Sequence, residues 1–189
     1  MRKVPDIAHR NMFPAAIDKL GLKKGAEIGV FEGSFSSLLL EKSSLEVLYS
    51  IDAWRRVDGG LMEESFLKAT LALNQYGDRS VVIRSPSPVA ADLFEDGSLD
   101  FIYIDADHRY EAVLADLNLW VPKVRRGGII SGHDYSGKGC GICKAMTTDE
   151  QPQRYKKKVK AAVNKFVSDN GIDLLTTRER CPSWWFVAK

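Results

Sequence analysis

The stretch GAEIGVFEGSFSSLLL, residues 25–40, decides how the rest of the chain is read. It opens with a short apolar run, 26–30, passes through a glycine-bearing turn and continues into a helix over about 36–42. Gly29 ends the strand and Gly33 opens the helix. Glycine at both places lets the backbone take positive φ and approach a ligand closely. Ser34 and Ser36 can cap the helix and offer hydroxyls. The spacing is G-x-x-x-G with an acid, Glu27, just before it. It is not the G-x-G-x-x-G that seats a pyrophosphate on a helix N-terminus, which argues against a dinucleotide.

Outward from this turn, strand and helix alternate. The next strand, 47–52, ends at Asp52 in LYSIDAW. An ionised Asp there can accept two hydrogen bonds from the vicinal hydroxyls of a ribose, or cap a turn. Upstream, 5–20 reads as a helix with Ile7, Met12, Ile17 and Leu20 as its apolar positions and Gly21 as its C-cap. Downstream, a helix is expected at 61–76, a strand at 81–84 and a short helix at 87–94. A strand follows at 100–105 (DFIYID), apolar enough for burial on both faces. A helix at 111–119, a turn at Gly127-Gly128 and a strand at 129–131 lead into His133-Asp134-Tyr135. A loop to about 153, an amphipathic helix over 154–169 and a hairpin-like pair, 172–176 with 184–188, complete the pattern. This alternation predicts a three-layer α/β sheet, largely parallel, with ligands bound beyond the carboxyl ends of its strands.

Composition sets the outer bounds. The 189 residues suit one domain, 1–189, and 44% hydrophobic with 28% charged residues is ordinary for a globular chain. A net charge of +2 points to neither nucleic acid nor membrane. No apolar run reaches bilayer length, and the N-terminus lacks a signal-peptide core. Three cysteines are too few for a disulfide framework, so a reduced, cytoplasmic protein is expected.

The chemistry gathers at two further strand ends. Asp105, Asp107 and His108 follow the fourth strand, and His133 and Asp134 follow the fifth. Carboxylates and imidazoles converging in a cleft can hold a divalent cation or act as a general base. His108 is the candidate base, its ordinary pKa lying near neutrality; the competing reading makes it a cap for the helix that follows. Tyr110 and Tyr135 either line a pocket or pack.

Three blocks in order, EIGVFEGSFS, SIDAW and DFIYIDADHRYEAVLADLNLWVPKVRRGGIISGHDY, resemble the class I S-adenosylmethionine-dependent methyltransferases, and within them a small-molecule and sugar O-methyltransferase-like family (methyltransferase family 24-like). The likeness runs from about 26 to 135, and SWWFVAK resembles that family's C-terminus. It implies a Rossmann-like sheet of seven strands with the last antiparallel, and S-adenosylmethionine as cofactor. Glu27, Gly29, Gly33 and Ser34 would shape the methionine side, Asp52 would bind the ribose, 85–87 with Ser85 would lie by the adenine, and Asp105 would border the cofactor. Trp54 stacks nearby or packs. Metal-dependent O-methyltransferases carry an Asp after the fourth strand and an Asp-Asn or Asp-Asp pair after the fifth, a resemblance that implies a divalent metal ion at Asp105, His133 and Asp134. His133 stands where that pattern has a carboxylate, a departure that disfavours Mg or Ca. The catalytic candidates are thus His108, Asp105 and His133.

The expected reaction is methyl transfer to a hydroxyl oxygen of a small molecule held by loops 54–62 and 135–153 or by the partner subunit of a homodimer. A non-catalytic adenosyl-binding module and a nicotinamide-dependent oxidoreductase are the alternatives. Cys140-x-x-Cys143, with Cys181 and His133, makes a weak zinc pattern. RYKKKVKAAVNKF reads as a solvated helix with Tyr155, Val159, Ala162, Val163 and Phe166 packed inward, and Trp184, Trp185 and Phe186 read as sheet residues.

Overall fold

The structure, a computed structural model, describes residues 5–56, 58–136 and 158–189. Its strands are β1 Lys24–Ile28, β2 Val47–Asp52, β3 Ser80–Arg84, β4 Leu99–Ile104, β5 Val124–Gly132, β6 Leu175–Thr176 and β7 Trp184–Val187. They form one sheet in the order β3-β2-β1-β4-β5-β7-β6. The first five run parallel, and β7 is antiparallel to both neighbours. The helices are α1 Phe13–Leu20, α2 Ser34–Lys42, α3 Glu63–Asn74, α4 Ser87–Ala91, α5 Tyr110–Trp120 and α6 Lys158–Asp169. This is the expected Rossmann-like sheet of seven strands, mostly parallel with an antiparallel last strand.

Strand β4 shows why the layers form. Side chains alternate across a strand, so one buried on both faces must be apolar throughout. Phe101 and Tyr103 join Phe13, Phe35, Leu39 and Leu73 in a core under α1–α3. Ile102 and Ile104 join Val113, Leu117, Trp120 and Val163 in a second core under α4–α6. The sheet's end repeats the device, with Trp185 in the first core and Trp184 and Phe186 in the second. Each such fully buried side chain contributes roughly 1.5–3 kcal/mol.

Three expectations need correction. The helix expected over 5–20 begins only at Phe13, with Pro14 in its first turn, where a missing N–H costs nothing. Residues 5–9 run as an irregular strap, and the His9 side chain accepts from the Asn11 N–H to start a short 3-10 turn, Arg10–Met12. The Gly127-Gly128 pair does not turn the chain but lies inside β5, where the register against β4 slips between Leu99 and Phe101. Gly127 has φ +80°, so the pair forms an irregularity that keeps the strand going. Neither Ser34 nor Ser36 caps α2: its N-cap is Gly33, in the left-handed region without a side-chain bond. Gly21 does cap α1, at φ +68°.

Candidate active site

Register builds the site. Ile51, Ile28, Ile104 and Gly132 lie side by side across β2, β1, β4 and β5. The next residue in each strand's path is Asp52, Gly29, Asp105 and His133. The strand order reverses between β1 and β4, and a crevice opens at such a switch point. One row of apolar residues thus delivers four candidate residues to one rim.

The β1–β2 half is made largely of backbone. Gly29 has φ +94°, and a Cβ there would lie 2.3 Å from the Asp105 carbonyl oxygen. Its N–H donates to Ile51 O at 2.8 Å, and the Asp105 N–H donates to Ile28 O at 2.7 Å. The Asp52 Oδ2 accepts from the N–H groups of Val30 and Phe31 at 2.9 Å each, and its Oδ1 accepts from the Trp54 N–H at 2.7 Å. These bonds hold Phe31 (φ +54°) and Trp54 (φ +44°) in a region that non-glycine residues seldom adopt. A carboxylate has about four acceptor directions, so Asp52 retains one. Trp54 is fully buried, donates Nε1–H to Phe31 O at 2.7 Å and meets Phe66 edge-on, so it packs rather than stacks in the cleft. The Ser85 N–H donates to Asp52 O at 2.9 Å, which ties the β3 exit to the same turn. Ser34 is exposed at the start of α2.

Beneath this turn Glu27 is buried. Ser36 Oγ donates to its Oε2 and lies 2.7 Å from Ser50 Oγ. Burial above all pushes the Glu27 carboxyl up to about 8; Ser36 and Arg10 work against the rise, and Asp105 and Asp52 add to it.

The β4–β5 half is made of titratable side chains. His108 Nε2 is 3.3 Å from Asp105 Oδ1, and its Nδ1 is 3.4 Å from Asp134 Oδ2. It does not cap α5, whose N-cap is Arg109 without a side-chain bond. Burial works to lower the His108 pKa, but bonding to Asp105 and the charges of Asp105, Asp134 and Asp107 outweigh it, and the net direction is up. Asp107 itself turns away to the Arg109 Nε and N–H. His133 Nδ1 lies 3.4 Å from Asp134 Oδ1 and 3.8 Å from Asp105 Oδ2. Asp134 has φ +56°, and Cys181 Sγ donates to its Oδ1 at 3.2 Å. A small cavity lined by Asp105, His108, His133 and Trp184 lies beside this cluster.

Among the described residues, potential metal-ligand atoms fall into two sets that share Asp134: Asp105–His108–Asp134 and His133–Asp134–Cys181, each within 4.8 Å. The sequence-based trio of Asp105, His133 and Asp134 is therefore divided between them. Tyr110 packs on the second core, and the Tyr135 hydroxyl donates to Asn164 Oδ1 at 2.6 Å. Cys140, Cys143 and Tyr155 lie outside the described residues.

Sequence reasoning missed two members of the site. Arg10 reaches it from the strap, its Cζ 4.3 Å from the Phe35 ring centroid and 3.9 Å separating Nη2 from Asp105 Oδ2. Read as part of a helix, Arg10 looked like surface; Pro14 was the signal that the helix starts later. The sequence pattern groups Cys181 with Cys140, Cys143 and His133 but not with Asp134, and the turn that brings it to Asp134 follows from the β6–β7 pairing.

Residues 26–135 match the Methyltransf_24 family, described as a methyltransferase domain, and the chain belongs to that family. A relative, the uncharacterized protein R132 of Acanthamoeba polyphaga mimivirus, is 32% identical over 148 residues, which is 76% of this chain. The match spans 58% of that relative's length. Among solved structures, the fold is similar to a Staphylococcus aureus protein assigned as a caffeoyl-CoA O-methyltransferase, with TM-score 0.72 and 15% identity over 98% of this chain and 86% of that one. It is also similar to the O-methyltransferase of Bacillus cereus in complex with SAH, with TM-score 0.70 and 15% identity over 98% and 84%. No helix among the described residues is long and apolar enough to cross a membrane.

Proposed function

We propose that this chain is one domain that transfers a methyl group from S-adenosylmethionine to a hydroxyl oxygen of a small molecule. The observation that carries the reading is the single row that sets Asp52 and Gly29 beside Asp105 and His133 at the switch point. A nucleoside-binding turn and an acid–base cluster then face one crevice. The SAH complex of the similar Bacillus cereus enzyme supports the same cofactor here.

In this reading the fourth acceptor direction of Asp52 takes a ribose hydroxyl, and Ser85 borders the adenine. Glu27, Gly29, Gly33 and Ser34 shape the methionine side, with Gly29 clearing space against Asp105. S-adenosylmethionine supplies an electrophilic methyl carbon on a sulfonium. The chain's part is to align the acceptor oxygen and take its proton. His108 does the second. Its ring lies between Asp105, 3.3 Å from Nε2, and Asp134, 3.4 Å from Nδ1, and both carboxylates stabilise the imidazolium that forms when one ring nitrogen takes the proton.

A divalent metal fits the donors present. His133, Asp134 and Cys181 would hold it and leave His108 free as the base, whereas an ion on Asp105, His108 and Asp134 would stand in the base's place. Imidazole and thiolate suit zinc, iron, cobalt or nickel rather than magnesium or calcium. Such an ion, when bound, lowers the pKa of the acceptor hydroxyl and fixes its position. The acceptor, a cytoplasmic setting and a homodimer belong to the same proposal.

Calorimetric titration with S-adenosylmethionine, S-adenosylhomocysteine and NAD, each with and without zinc and magnesium, is the test. Saturable binding of the adenosyl ligands but not NAD supports the reading. Binding of NAD alone, or of none, overturns it. Binding without turnover across a panel of catechols, sugars and phenols would favour the non-catalytic alternative.

A further inference from the structure

We infer that Arg10 receives the carboxylate of the amino-acid end of the adenosyl ligand. The inference rests on the cofactor reading above and adds a residue outside the matched region 26–135.

The guanidinium lies over Phe35, 4.3 Å from the ring centroid, and 5.4 Å from that of Tyr103. Aromatic faces fix the plane of an Arg head while leaving its N–H edge for a ligand. The Nε is buried without a hydrogen-bond partner among the described residues. The nearest carboxylate oxygen, Asp105 Oδ2, is 3.9 Å from Nη2, beyond hydrogen-bond range. A buried guanidinium N–H without an acceptor is unfavourable, and one placed at a ligand crevice is satisfied when an anion arrives.

Placement selects the anion. The amino-acid end of S-adenosylhomocysteine carries an ammonium and a carboxylate a few ångströms apart. A receptor for it needs an anion and a cation at similar separation. Asp105 supplies the first and Arg10 the second, and both stand at the β1–β4 switch point above Glu27. The guanidinium fork matches a carboxylate in two parallel hydrogen bonds.

The strap holds Arg10 in place before any ligand binds. The Arg10 backbone N–H donates to both Glu179 oxygens, at 3.1 and 3.0 Å, and His9 Nε2 is 3.0 Å from Glu179 Oε2. Arg178 pairs with both Asp6 oxygens at 3.0 and 3.1 Å, and its N–H donates to Ala8 O at 2.8 Å. Residues 6–10 are thereby moored to the turn between β6 and β7, and such preorganisation lowers the cost of binding.

The test titrates wild type, Arg10→Met and Arg10→Lys with S-adenosylhomocysteine and with 5′-methylthioadenosine, which keeps the adenosyl thioether and lacks the amino-acid end. The quantity read is the ratio of the two affinities. Arg10→Met keeps the apolar contact with Phe35 and should weaken S-adenosylhomocysteine roughly 30-fold, the scale of a lost charge-assisted bond, with 5′-methylthioadenosine unchanged. Arg10→Lys keeps the charge without the fork and should recover part of the ratio. An unchanged ratio in either variant overturns the inference, as does an equal loss for both ligands, which marks a purely structural Arg10. If Arg10→Met does not fold, the Arg10→Lys ratio decides alone. Wild type that binds neither ligand refutes the cofactor reading itself, an outcome distinct from wild type that binds both with a ratio indifferent to Arg10.

Discussion

The two halves of the strand-end rim are neighbours built on opposite plans. At β1–β2 the one exposed-end carboxylate, Asp52, is bound by three backbone N–H groups and holds a turn with two non-glycine residues at positive φ. At β4–β5 the carboxylates face imidazoles at 3.3–3.8 Å. A carboxylate that accepts several N–H bonds is a fixed piece of scaffold. Acids and imidazoles that compete for protons can change state at little cost. The first plan suits recognition of an unreactive nucleoside, the second suits a proton that must move. The junction is the Gly29–Asp105 contact, where no side chain fits between the halves.

The largest effect should come from breaking that junction. Gly29→Ala places a Cβ where the Asp105 carbonyl already lies 2.3 Å away, at a φ alanine disfavours. The expected loss is ~4 kcal/mol, a fall in melting midpoint on the order of 10 °C, with both halves disabled together. A thermal melt checks it, and an unshifted midpoint would show that the backbone yields there. Asp52→Ala should come next. It strands three N–H donors, costs about 2–3 kcal/mol and weakens S-adenosylhomocysteine binding, whereas Asp52→Asn keeps one acceptor oxygen and should fall between. Denaturant melts and calorimetry separate the losses. Wild-type ligand affinity in a destabilised Asp52→Asn would assign Asp52 to the turn alone.

The same contrast explains what was legible in the sequence. Strand β2 falls where its apolar pattern places it, residue for residue, at 47–52. Asp105, His108, His133 and Asp134 were legible because position after a strand is a local signal and the parallel order makes those ends adjacent. The clasp of Asp52 on Val30, Phe31 and Trp54 was not, because it depends on how two turns meet in space. The strap was misread for a different reason. Ile7 and Ile17 are buried as a helix would have them, but Met12 is exposed and Arg10 turns inward, so burial of two residues mimicked a period the backbone does not have. Glu27, read as one acid near a glycine turn, proved to be buried with Ser36 and Ser50, a trio that two strands and a helix assemble.

In the titratable half, His108→Ala should leave S-adenosylhomocysteine affinity within about threefold and slow turnover on the order of 100-fold, the usual contribution of a general base. Steady-state rates beside calorimetry check the split; lost affinity with surviving turnover would reverse the role. The pH profile adds a second reading. A base works when neutral, and the His108 pKa is raised by Asp105 and Asp134 against the pull of burial. The limb of kcat/KM that rises with pH should therefore have its midpoint above 6.5, and Asp134→Asn should move that midpoint down. A midpoint indifferent to Asp134 would assign the limb to another group.

The smallest effect concerns Glu27, which lies beneath the fixed half yet titrates. Its carboxyl is held neutral up to about 8 by burial, against 4.5 for the ordinary side chain. A group whose pKa rises on folding favours the folded state fully below 4.5, and that contribution is lost as pH climbs toward 8, because the unfolded chain releases a proton that the folded chain keeps. Glu27→Gln has the same shape, can still accept from Ser36 and has no proton to lose. The variant should match wild type near pH 4 and exceed it by on the order of 1 kcal/mol near pH 6, as read from denaturant melts at the two pH values. Parallel stability curves would mean that Glu27 is ionised when folded. It would then belong with Asp52 in the fixed half, and the line between the two plans would run along the β1–β4 boundary rather than through the floor of β1.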